Sequence, residues 1–515
     1  MTLSRTLESL FSAVPDAAIA LSAPGAPPLS FGRLRALVKD TIATLNGFGV
    51  GRGDRVAIVL PNGPEMAAAF IAITQGATAA PLNPAYKLDE FEFYMEDLKA
   101  KALVVEAGSA SPAIEAARRL GVFVLTLKPR AGGAGDFALS EHAAFERDSS
   151  AQTAAAAKPG FASPEDVALI LHTSGTTSRP KIVPLSQHNV ATSAQNIART
   201  LDFSTADRAL NVMPFFHIHG LIAGLLAPLS RGGSVFCTPG FNALKFFGWM
   251  EEAKPTWFTA VPTMHQAILS RAGHHREEIL RHPLRFIRSS SSSLPPQVIA
   301  ELEATFHAPV IEAYGMTEAA HQMASNPLHG ARKPGSVGLA AGPEVEIMDA
   351  AGEILPVGAV GEIVIRGENV TAGYENNPKA NAEAFVDGWF RTGDQGVKDA
   401  DSYVSLTGRL KEIINRGGEK ISPREVDEAL MDHPAVQQVV AFAMPHDMLG
   451  EDVAAAVVLR QGASVTEREL KAFLSERLAA FKVPRKILFL DEIPKGATGK
   501  LQRIGLAEKL GLKAG

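Results

Sequence analysis

Cysteine is almost absent from the chain, which has 515 residues and a single thiol at Cys237. No disulfide can therefore form within the chain, so packing and hydrogen bonding must hold the fold together. A lone cysteine is compatible with a reducing compartment, and we expect a cytoplasmic protein.

Long hydrophobic runs are also missing. The most apolar stretch, MAAAFIAITQGATAAPLN, is interrupted by Gln75 and Gly76 and is too short to cross a bilayer. The first 22 residues, MTLSRTLESLFSAVPDAAIALS, carry Glu8 inside their apolar part, which predicts an amphipathic helix and not a signal peptide. We therefore expect no membrane span.

The chain lacks a strong excess of charge of either sign. Lysine and arginine total 50 against 55 aspartate and glutamate, so the formal net charge is −5. A balance of this kind does not recruit nucleic acid or an anionic membrane by itself. We expect no nucleic-acid partner, and the size is compatible with a monomer or a homodimer.

Short apolar runs such as RVAIVLPN, KALVVEAG, DVALIL and LRFIRSS alternate with helical patterns. This alternation predicts an α/β fold whose parallel sheets carry helices on both faces. From about residue 335 to 408, glycine-rich strands with few helices predict a small β-barrel or antiparallel sheet. The pattern of residues in the sequence changes again after Arg409. We expect a large N-terminal domain over residues 1–409, with two doubly wound βα subdomains and the small barrel. A small α+β C-terminal domain follows over 410–515.

The segment HTSGTTSRPKIVPLSQHNV packs hydroxyls, one glycine and one lysine into a loop after the apolar run DVALIL. Backbone N–H groups and hydroxyls of such a loop, with a lysine, suit polyphosphate. Ser186 is a plausible N-cap for the helix that follows. The loop is not a Walker P-loop, because Pro180 precedes Lys181 where that motif needs glycine. The competing interpretation is a serine- and threonine-rich turn without a ligand.

Five segments together resemble, in order, the signatures of the adenylate-forming superfamily, which includes acyl-CoA synthetases, luciferases and peptide-synthetase adenylation domains. They are TSGTTSRPK, YGMTEAA, WFRTGD, LTGRLKEIINRGGEKISP and PKGATGK, and the similarity covers essentially the whole chain. The resemblance implies a mobile C-terminal domain and the use of ATP, Mg²⁺ and coenzyme A.

The resemblance also implies roles at matching positions. The β- and γ-phosphates of ATP would be held by Thr173, Ser174, Gly175, Thr176, Thr177 and Lys181. Further nucleotide contacts would come from Glu312, Ala313, Tyr314 at adenine, Thr317 at the α-phosphate, and Asp394 and Arg409 at the ribose. Glu318 would hold Mg²⁺, a hard cation that prefers carboxylate and phosphate oxygens. Taken singly, these are ordinary structural residues; the motifs favour the functional interpretation.

Lys500 matches the lysine that, in this superfamily, bridges the acid and the α-phosphate, where negative charge accumulates during the reaction. Gly496 stands where relatives commonly have threonine. Lys411 matches the hinge, and the resemblance implies that the C-terminal domain rotates there between two half-reactions. Lys500 also resembles a lysine that protein acetyltransferases modify in related ligases.

Coenzyme A is expected to meet Gly417 and Gly418, which allow close backbone approach to pantetheine. Lys482 and Arg485 are candidates for its phosphates, although a plain basic surface patch explains them equally well.

The predicted acid pocket is polar, with His217, Ser291, Ser293 and His321 as candidates for binding a second carboxylate. His217 and His219 alternate as on a strand, so only one should face the pocket. His321 lies four residues past Thr317, which is one helical turn. The runs FIRSSSSSLPP and EAYGMTEAAHQMASNPL most resemble the oxalyl-CoA synthetase (oxalate–CoA ligase) group of plants and fungi, which implies oxalate as the substrate.

Three alternatives stay open at this point. The acid could be malonate or a medium-chain or aryl acid, the chain could load a carrier protein, or it could bind nucleotide with little catalysis. The phosphate loop itself departs from the family, which usually has glycine where Ser178 and Ile182 stand. Ile182 either begins a strand that needs no glycine, or it slows closure of the loop.

Overall fold

Four β-sheets organise the computed structural model, which describes residues 4–143, 155–173, 180–494 and 501–512. The first part of the chain alternates strands and helices. Its elements are α1 (Leu7–Phe11), β1 (Ile19–Ala23), β2 (Ala26–Ser30), α2 (Phe31–Gly47), β3 (Arg55–Val59), α3 (Pro64–Thr74), β4 (Thr78–Pro81), α4 (Leu88–Leu98), β5 (Ala102–Glu106), α5 (Pro112–Leu120), β6 (Phe123–Pro129) and β7 (Phe137–Glu141).

The same alternation continues through the middle of the chain. The elements there are β8 (Val167–His172), β9 (Ile182–Ser186), α6 (Gln187–Thr200), β10 (Arg208–Asn211), a π-helix (His219–Leu226), α7 (Ala227–Leu229), β11 (Ser234–Cys237), α8 (Phe246–Ala253), β12 (Trp257–Ala260), α9 (Pro262–Ala272), α10 (Arg276–Arg281), β13 (Phe286–Ser290), α11 (Pro296–Phe306), β14 (Val310–Met316), a 3₁₀ turn (Thr317–Ala319) and β15 (His321–Ser325).

Strands dominate next, and a mixed region ends the chain. The strand-rich part holds β16 (Leu339–Ala340), β17 (Glu344–Met348), β18 (Val360–Arg366), α12 (Pro378–Ala384), β19 (Phe385–Val386), β20 (Trp389–Lys398) and β21 (Val404–Arg409). The last part holds β22 (Ile414–Arg416), β23 (Glu419–Ile421), α13 (Pro423–Met431), β24 (Val436–His446), β25 (Gly450–Leu459), α14 (Glu467–Ser475), a 3₁₀ turn (Ala480–Lys482), β26 (Lys486–Phe489) and α15 (Leu506–Lys509).

Two large sheets with parallel centres confirm the predicted βα subdomains. The seven-stranded sheet has the order β7-β6-β5-β3-β4-β8-β9, and only its edge strands β7 and β9 pair antiparallel. The nine-stranded sheet has the order β16-β15-β14-β13-β12-β10-β11-β1-β2, with parallel pairing from β14 through β1. Two groups of predicted site residues follow its central strands: Ser291 and Ser293 follow β13, and Thr317 and Glu318 follow β14.

Helix α3 lies between the two large sheets, and every residue from Met66 to Thr74 is buried. Its sequence is apolar on all sides and rich in alanine, so it can contact both sheets closely. The most apolar stretch of the sequence is thus a core helix followed by the buried strand β4. None of the helices in the described ranges has the length and apolar character that a membrane span needs.

The N-terminus differs from the predicted amphipathic helix. Helix α1 covers only Leu7–Phe11, capped by Thr6, and Ile19–Ala23 form strand β1 instead. This strand pairs with β11 in the nine-stranded sheet, and that tertiary pairing overrides local helical periodicity.

A five-stranded antiparallel sheet, β17-β18-β20-β19 with β21 on β20, forms the predicted small barrel-like unit. Strand β21 ends at Arg409, and β22 already belongs to the C-terminal sheet of order β23-β22-β25-β24, with β26 on β25. Helix α13 packs back on the large domain, where the guanidinium of Arg424 donates to the carbonyl of Leu406 at 2.9 Å.

Candidate active site

The phosphate loop is the connection between two antiparallel strands, not between a strand and a helix as predicted. At its neck the backbone N–H of Thr173 donates to the carbonyl of Lys181 at 3.0 Å, and the N–H of Lys181 donates to the Thr173 hydroxyl at 3.3 Å. The expected phosphate ligands Ser174, Gly175, Thr176 and Thr177 lie outside the described residues. The predicted cap is confirmed, because Ser186 accepts from Asn189 at the start of α6.

Ile182 opens strand β9 and pairs with His172 of β8. Its side chain is buried among apolar residues of the seven-stranded sheet, including Val59 and Ile170. A β-branched residue suits this extended position. The structure therefore favours the first explanation of the family departure: Ile182 serves a strand and needs no glycine-like freedom.

Asp394 lies at the junction of two strands and meets two other predicted nucleotide residues. Its carboxylate accepts from the Tyr314 hydroxyl at 2.5 Å and from Nε of Arg409 at 2.9 Å. Asp394 is within β20, directly opposite Arg409 of β21. The positive φ of Gly393, 75°, lets β20 bulge there, which turns the carboxylate toward Tyr314.

Charge and burial shift the titration of this group of residues. The adjacent Asp394 carboxylate holds the pKa of Arg409 above its usual value, and burial raises the pKa of Tyr314. Arg409 therefore keeps its positive charge beside Asp394 near neutral pH. The two carboxylate oxygens of Asp394 are the acceptors to which the two hydroxyls of a ribose would donate.

Glu312 and Ala313 occupy the buried centre of β14. One oxygen of Glu312 accepts from the N–H of Leu294 at 2.9 Å, while the other has no hydrogen-bond partner among the described residues. Burial raises the pKa of Glu312 to about 7. The carbonyl of Ala313 accepts from the Ser290 hydroxyl at 2.8 Å, so this backbone is held firmly next to Tyr314.

Glu318 is buried within the 3₁₀ turn that begins at Thr317. The Tyr374 hydroxyl donates to its Oε1 at 2.8 Å, and burial raises the pKa of Glu318. Within the described ranges, no three histidine, cysteine or acidic side chains cluster in a way that could hold a metal alone. A single buried carboxylate such as Glu318 would supply Mg²⁺ with one protein ligand, and phosphate oxygens and water would complete the shell.

Three of the residues discussed for the acid pocket come together in one buried cluster. Nδ1 of His219 lies 3.1 Å from the Ser291 hydroxyl, and its Nε2 lies 2.7 Å from the Thr259 hydroxyl. The His219 ring also stacks on His321, with centroids 4.9 Å apart. Ser291, His219 and His321 thus form one polar wall, which we term the acid cluster.

The other two proposed pocket residues border the acid cluster. Nδ1 of His217 accepts from the N–H of His219 at 3.2 Å, and Ser293 lies partly buried two residues past Ser291. The expectation that His217 and His219 alternate along a strand is wrong, because β10 ends at Asn211 and a π-helix begins at His219.

The backbone of the acid cluster is unusual. His321 has a φ of 100° and Ser291 has a φ of 77°, values that residues with side chains rarely adopt. His321 does not continue a helix from Thr317 as its spacing suggested. It begins β15, which reverses direction to pair with β14, and a Cβ on Gly315 would come within 2.0 Å of the His321 carbonyl. Such strain is typical of functional sites.

Arg288, which the sequence motifs did not single out, completes the acid cluster. It lies on β13, beside Thr259 of β12, and is fully buried. Its Nη1 is 3.3 Å from Nε2 of His219, and its Nη2 donates to the Gln322 amide oxygen at 3.2 Å. The segment LRFIRSS could have revealed Arg288, because a charged residue inside a buried parallel strand is rare.

Arg288 has no matching anion among the described residues. No carboxylate there shifts its pKa or forms an ion pair with it, and its Nε has no hydrogen-bond partner in that part of the chain. Burial lowers its pKa to about 9, so it still carries its charge at neutral pH. An unpaired buried cation is costly, and an anionic ligand would remove that cost.

The residues expected at the hinge and at coenzyme A lie on the C-terminal side. Lys411 is exposed directly after β21, and Gly417 and Gly418 form the turn between β22 and β23 with φ of 58° and 100°. Lys482 is already paired with Glu425 at 2.6 Å, while the Arg485 side chain is exposed. Lys500 falls outside the described residues.

Comparison with known proteins agrees with the fold and identifies the family. The profile of the AMP-binding enzyme family matches residues 12–375, and that of the AMP-binding enzyme C-terminal domain matches residues 425–500. The chain therefore belongs to the AMP-binding enzyme family. The class predicted from the motifs, an AMP-forming acyl-CoA synthetase, is confirmed.

Individual relatives extend over nearly the whole chain. It is 47% identical to an oxalate–CoA ligase of Arabidopsis thaliana, covering 98% of this chain and 97% of that protein. An oxalate–CoA ligase of Saccharomyces cerevisiae is 46% identical over 89% of this chain and 87% of its own length. The ATP-bound structure of MatB from Rhodopseudomonas palustris superposes with a TM-score of 0.88 at 31% identity, covering 99% of both chains.

Proposed function

We propose that this enzyme joins oxalate to coenzyme A, converting oxalate, ATP and CoA to oxalyl-CoA, AMP and pyrophosphate. The observation that carries the proposal is the fully buried Arg288, which meets no carboxylate among the described residues. A monocarboxylic acid has one anionic group, and that group is consumed at the α-phosphate. A diacid has a second, which Arg288 would bind with two charge-assisted hydrogen bonds.

The polarity of the acid cluster supports a short diacid over a fatty acid. A site for a long acyl chain needs an apolar tunnel. Here the polar side chains of Arg288, His219, Ser291 and His321 lie together, and the Gln322 amide oxygen accepts from the guanidinium. Two relatives of this chain, 47% and 46% identical to it, are oxalate–CoA ligases, which supports the same acid.

In the first half-reaction, one carboxylate oxygen of oxalate attacks the α-phosphorus of ATP. The bond between the α-phosphorus and the bridging oxygen breaks, and pyrophosphate leaves. Asp394 and Arg409 would hold the ribose, and Lys181 would hold the departing phosphates. We assign to Lys500 the charge that draws the two anions together, and to Thr317 a contact with the α-phosphate. When bound at Glu318, Mg²⁺ would neutralise phosphate charge.

In the second half-reaction, the thiolate of coenzyme A attacks the carbonyl carbon of oxalyl-adenylate, and the bond to AMP breaks. The turn at Gly417 and Gly418 would face pantetheine after rotation about Lys411. Open space around a Cβ at Gly418 is compatible with this role, since no atom lies within 4 Å of that position.

A panel of acids tests the proposed function. The purified enzyme is given ATP, Mg²⁺ and CoA with oxalate, malonate, hexanoate or benzoate at equal concentration, and AMP and acyl-CoA are measured. Oxalate should give the fastest formation of both products. Faster turnover of hexanoate or benzoate would refute the diacid assignment, and transfer to a carrier protein without CoA would refute the ligase assignment.

A further inference from the structure

Tyr374 touches two predicted nucleotide residues at once. Its hydroxyl donates to Oε1 of Glu318 at 2.8 Å. The ammonium of Lys181 lies over the same ring, 4.2 Å from the centroid, within the range of a cation–π interaction. One side chain therefore lies between the carboxylate suited to Mg²⁺ and the lysine of the phosphate loop.

The position of the ring is fixed by its own surroundings. The Asn381 side chain accepts from the N–H of Tyr374 at 2.7 Å and donates to its carbonyl at 2.8 Å. The ring packs at 6.2 Å against Phe390, and the residue is only 7% exposed. Tyr374 has little freedom to follow either neighbour, so the neighbours must adapt to it.

The backbone around Tyr374 connects the same two parts of the site. We call residues 369–375 the bridging segment. The N–H of Thr371 donates to the carbonyl of Glu318 at 2.7 Å, and the Thr371 hydroxyl donates to the carbonyl of Pro184 at 2.7 Å. Farther along, the N–H of Glu375 donates to the carbonyl of Ile182 at 3.1 Å. The segment thus ties the 3₁₀ turn to strand β9.

We propose that Tyr374 is a positioning residue that sets the distance between the magnesium carboxylate of Glu318 and the phosphate-binding ammonium of Lys181. The inference rests on the proposed function, which gives those two residues their roles. The hydroxyl orients the carboxylate, and the ring face keeps the ammonium directed toward the phosphates. The two halves of the side chain therefore have separable effects.

Two substitutions separate these effects. Tyr374→Phe removes the hydroxyl and keeps the ring, whereas Tyr374→Leu removes both. Equilibrium binding of ATP is measured by calorimetry in EDTA and over a series of Mg²⁺ concentrations. Tyr374→Phe should raise the half-saturating Mg²⁺ concentration about tenfold or more, as loss of an outer-shell partner does, and leave binding in EDTA unchanged. Tyr374→Leu should also weaken binding in EDTA, by about threefold or more.

Tyr403 supplies a matched control in the same fold. Its hydroxyl donates to the carbonyl of Ala331 at 2.6 Å, and the Lys333 ammonium lies 4.3 Å from its ring centroid, so Tyr403→Phe makes the same chemical change elsewhere. A Tyr374→Phe enzyme with the Mg²⁺ dependence of Tyr403→Phe would overturn the inference. Equal losses from the Phe and Leu variants in EDTA would also overturn it. Failure of the unmodified enzyme to bind ATP would instead refute the proposed function.

Discussion

Arg288 and His219 face each other in the acid pocket, with Nη1 of the guanidinium 3.3 Å from Nε2 of the imidazole. The guanidinium can only donate, so Nε2 accepts in this contact, and the Thr259 hydroxyl, 2.7 Å from the same nitrogen, must then donate to it as well. Nδ1 then carries the hydrogen and donates to the Ser291 hydroxyl at 3.1 Å. This order of donors leaves the Ser291 O–H directed away from His219, where an acid oxygen could accept it. Arg288 thus fixes the hydrogen-bond directions in the acid cluster and also places a positive charge beside it.

The ion pair between Asp394 and Arg409 predicts a nucleotide-specific defect. Asp394→Asn keeps the shape but weakens the acceptors for the ribose hydroxyls, and bonds to a charged group contribute about 1.5–3 kcal/mol. KM for ATP should rise about 10- to 100-fold with little change in KM for oxalate, as steady-state kinetics would show. Asp399→Asn, at an exposed pair with Lys333, serves as the control. A parallel rise in both KM values would contradict the ribose assignment.

Glu312 predicts a pH-dependent effect on stability. Burial raises its pKa from about 4.5 to about 7, so the folded protein holds this proton more tightly than the unfolded chain does. The stabilisation it gives is complete below about pH 4.5 and is lost as pH rises through about 7. The Glu312→Gln side chain cannot ionise, so the variant does not lose this stabilisation as pH rises. The difference in unfolding free energy, variant minus parent, should grow by up to about 3 kcal/mol between pH 5 and pH 8.

Denaturant unfolding at the two pH values measures the effect of Glu312. The exposed Glu301→Gln, on the neighbouring helix α11, should show no comparable change with pH. A Glu312→Gln difference that is the same at pH 5 and pH 8 would show that this carboxyl group titrates normally.

Ile182→Gly tests whether the phosphate loop needs glycine there. Because Ile182 is a buried strand residue, its removal should cost about 3–5 kcal/mol of stability. The rate of pyrophosphate exchange should not increase, and Ile182→Val should be nearly neutral on both measures. Faster exchange by the glycine variant would instead support the idea that isoleucine slows loop closure.

Lys500→Ala tests the catalytic assignment drawn from the motif PKGATGK. Loss of this charge should abolish pyrophosphate exchange, because two anions must approach each other in the transition state. ATP binding, measured by calorimetry, should stay nearly intact. Normal exchange in this variant would show that another group supplies the charge.

The sequence predicted the two large sheets well for a physical reason. Buried parallel strands are continuous apolar runs between turns, and the motifs follow those strands. It left a strand at Ile182 as one of two alternatives and did not predict β15, because Ile182 and His321 become strand residues only through pairing with β8 and β14. Arg288 was missed for a related reason. Its importance depends on which face of the sheet it occupies and on the absence of a carboxylate among the described residues around it.

The most direct test of the account measures Arg288→Met in two ways, with the exposed Arg281→Met as its control. Losing one partner of a buried charge pair costs about 2–5 kcal/mol, so kcat/KM for oxalate should fall at least about 30-fold. The melting temperature without ligand should be unchanged or higher, because the substitution removes a buried charge that has no counter-ion among the described residues. An Arg288→Met enzyme with the oxalate kcat/KM of the Arg281→Met control would contradict the account.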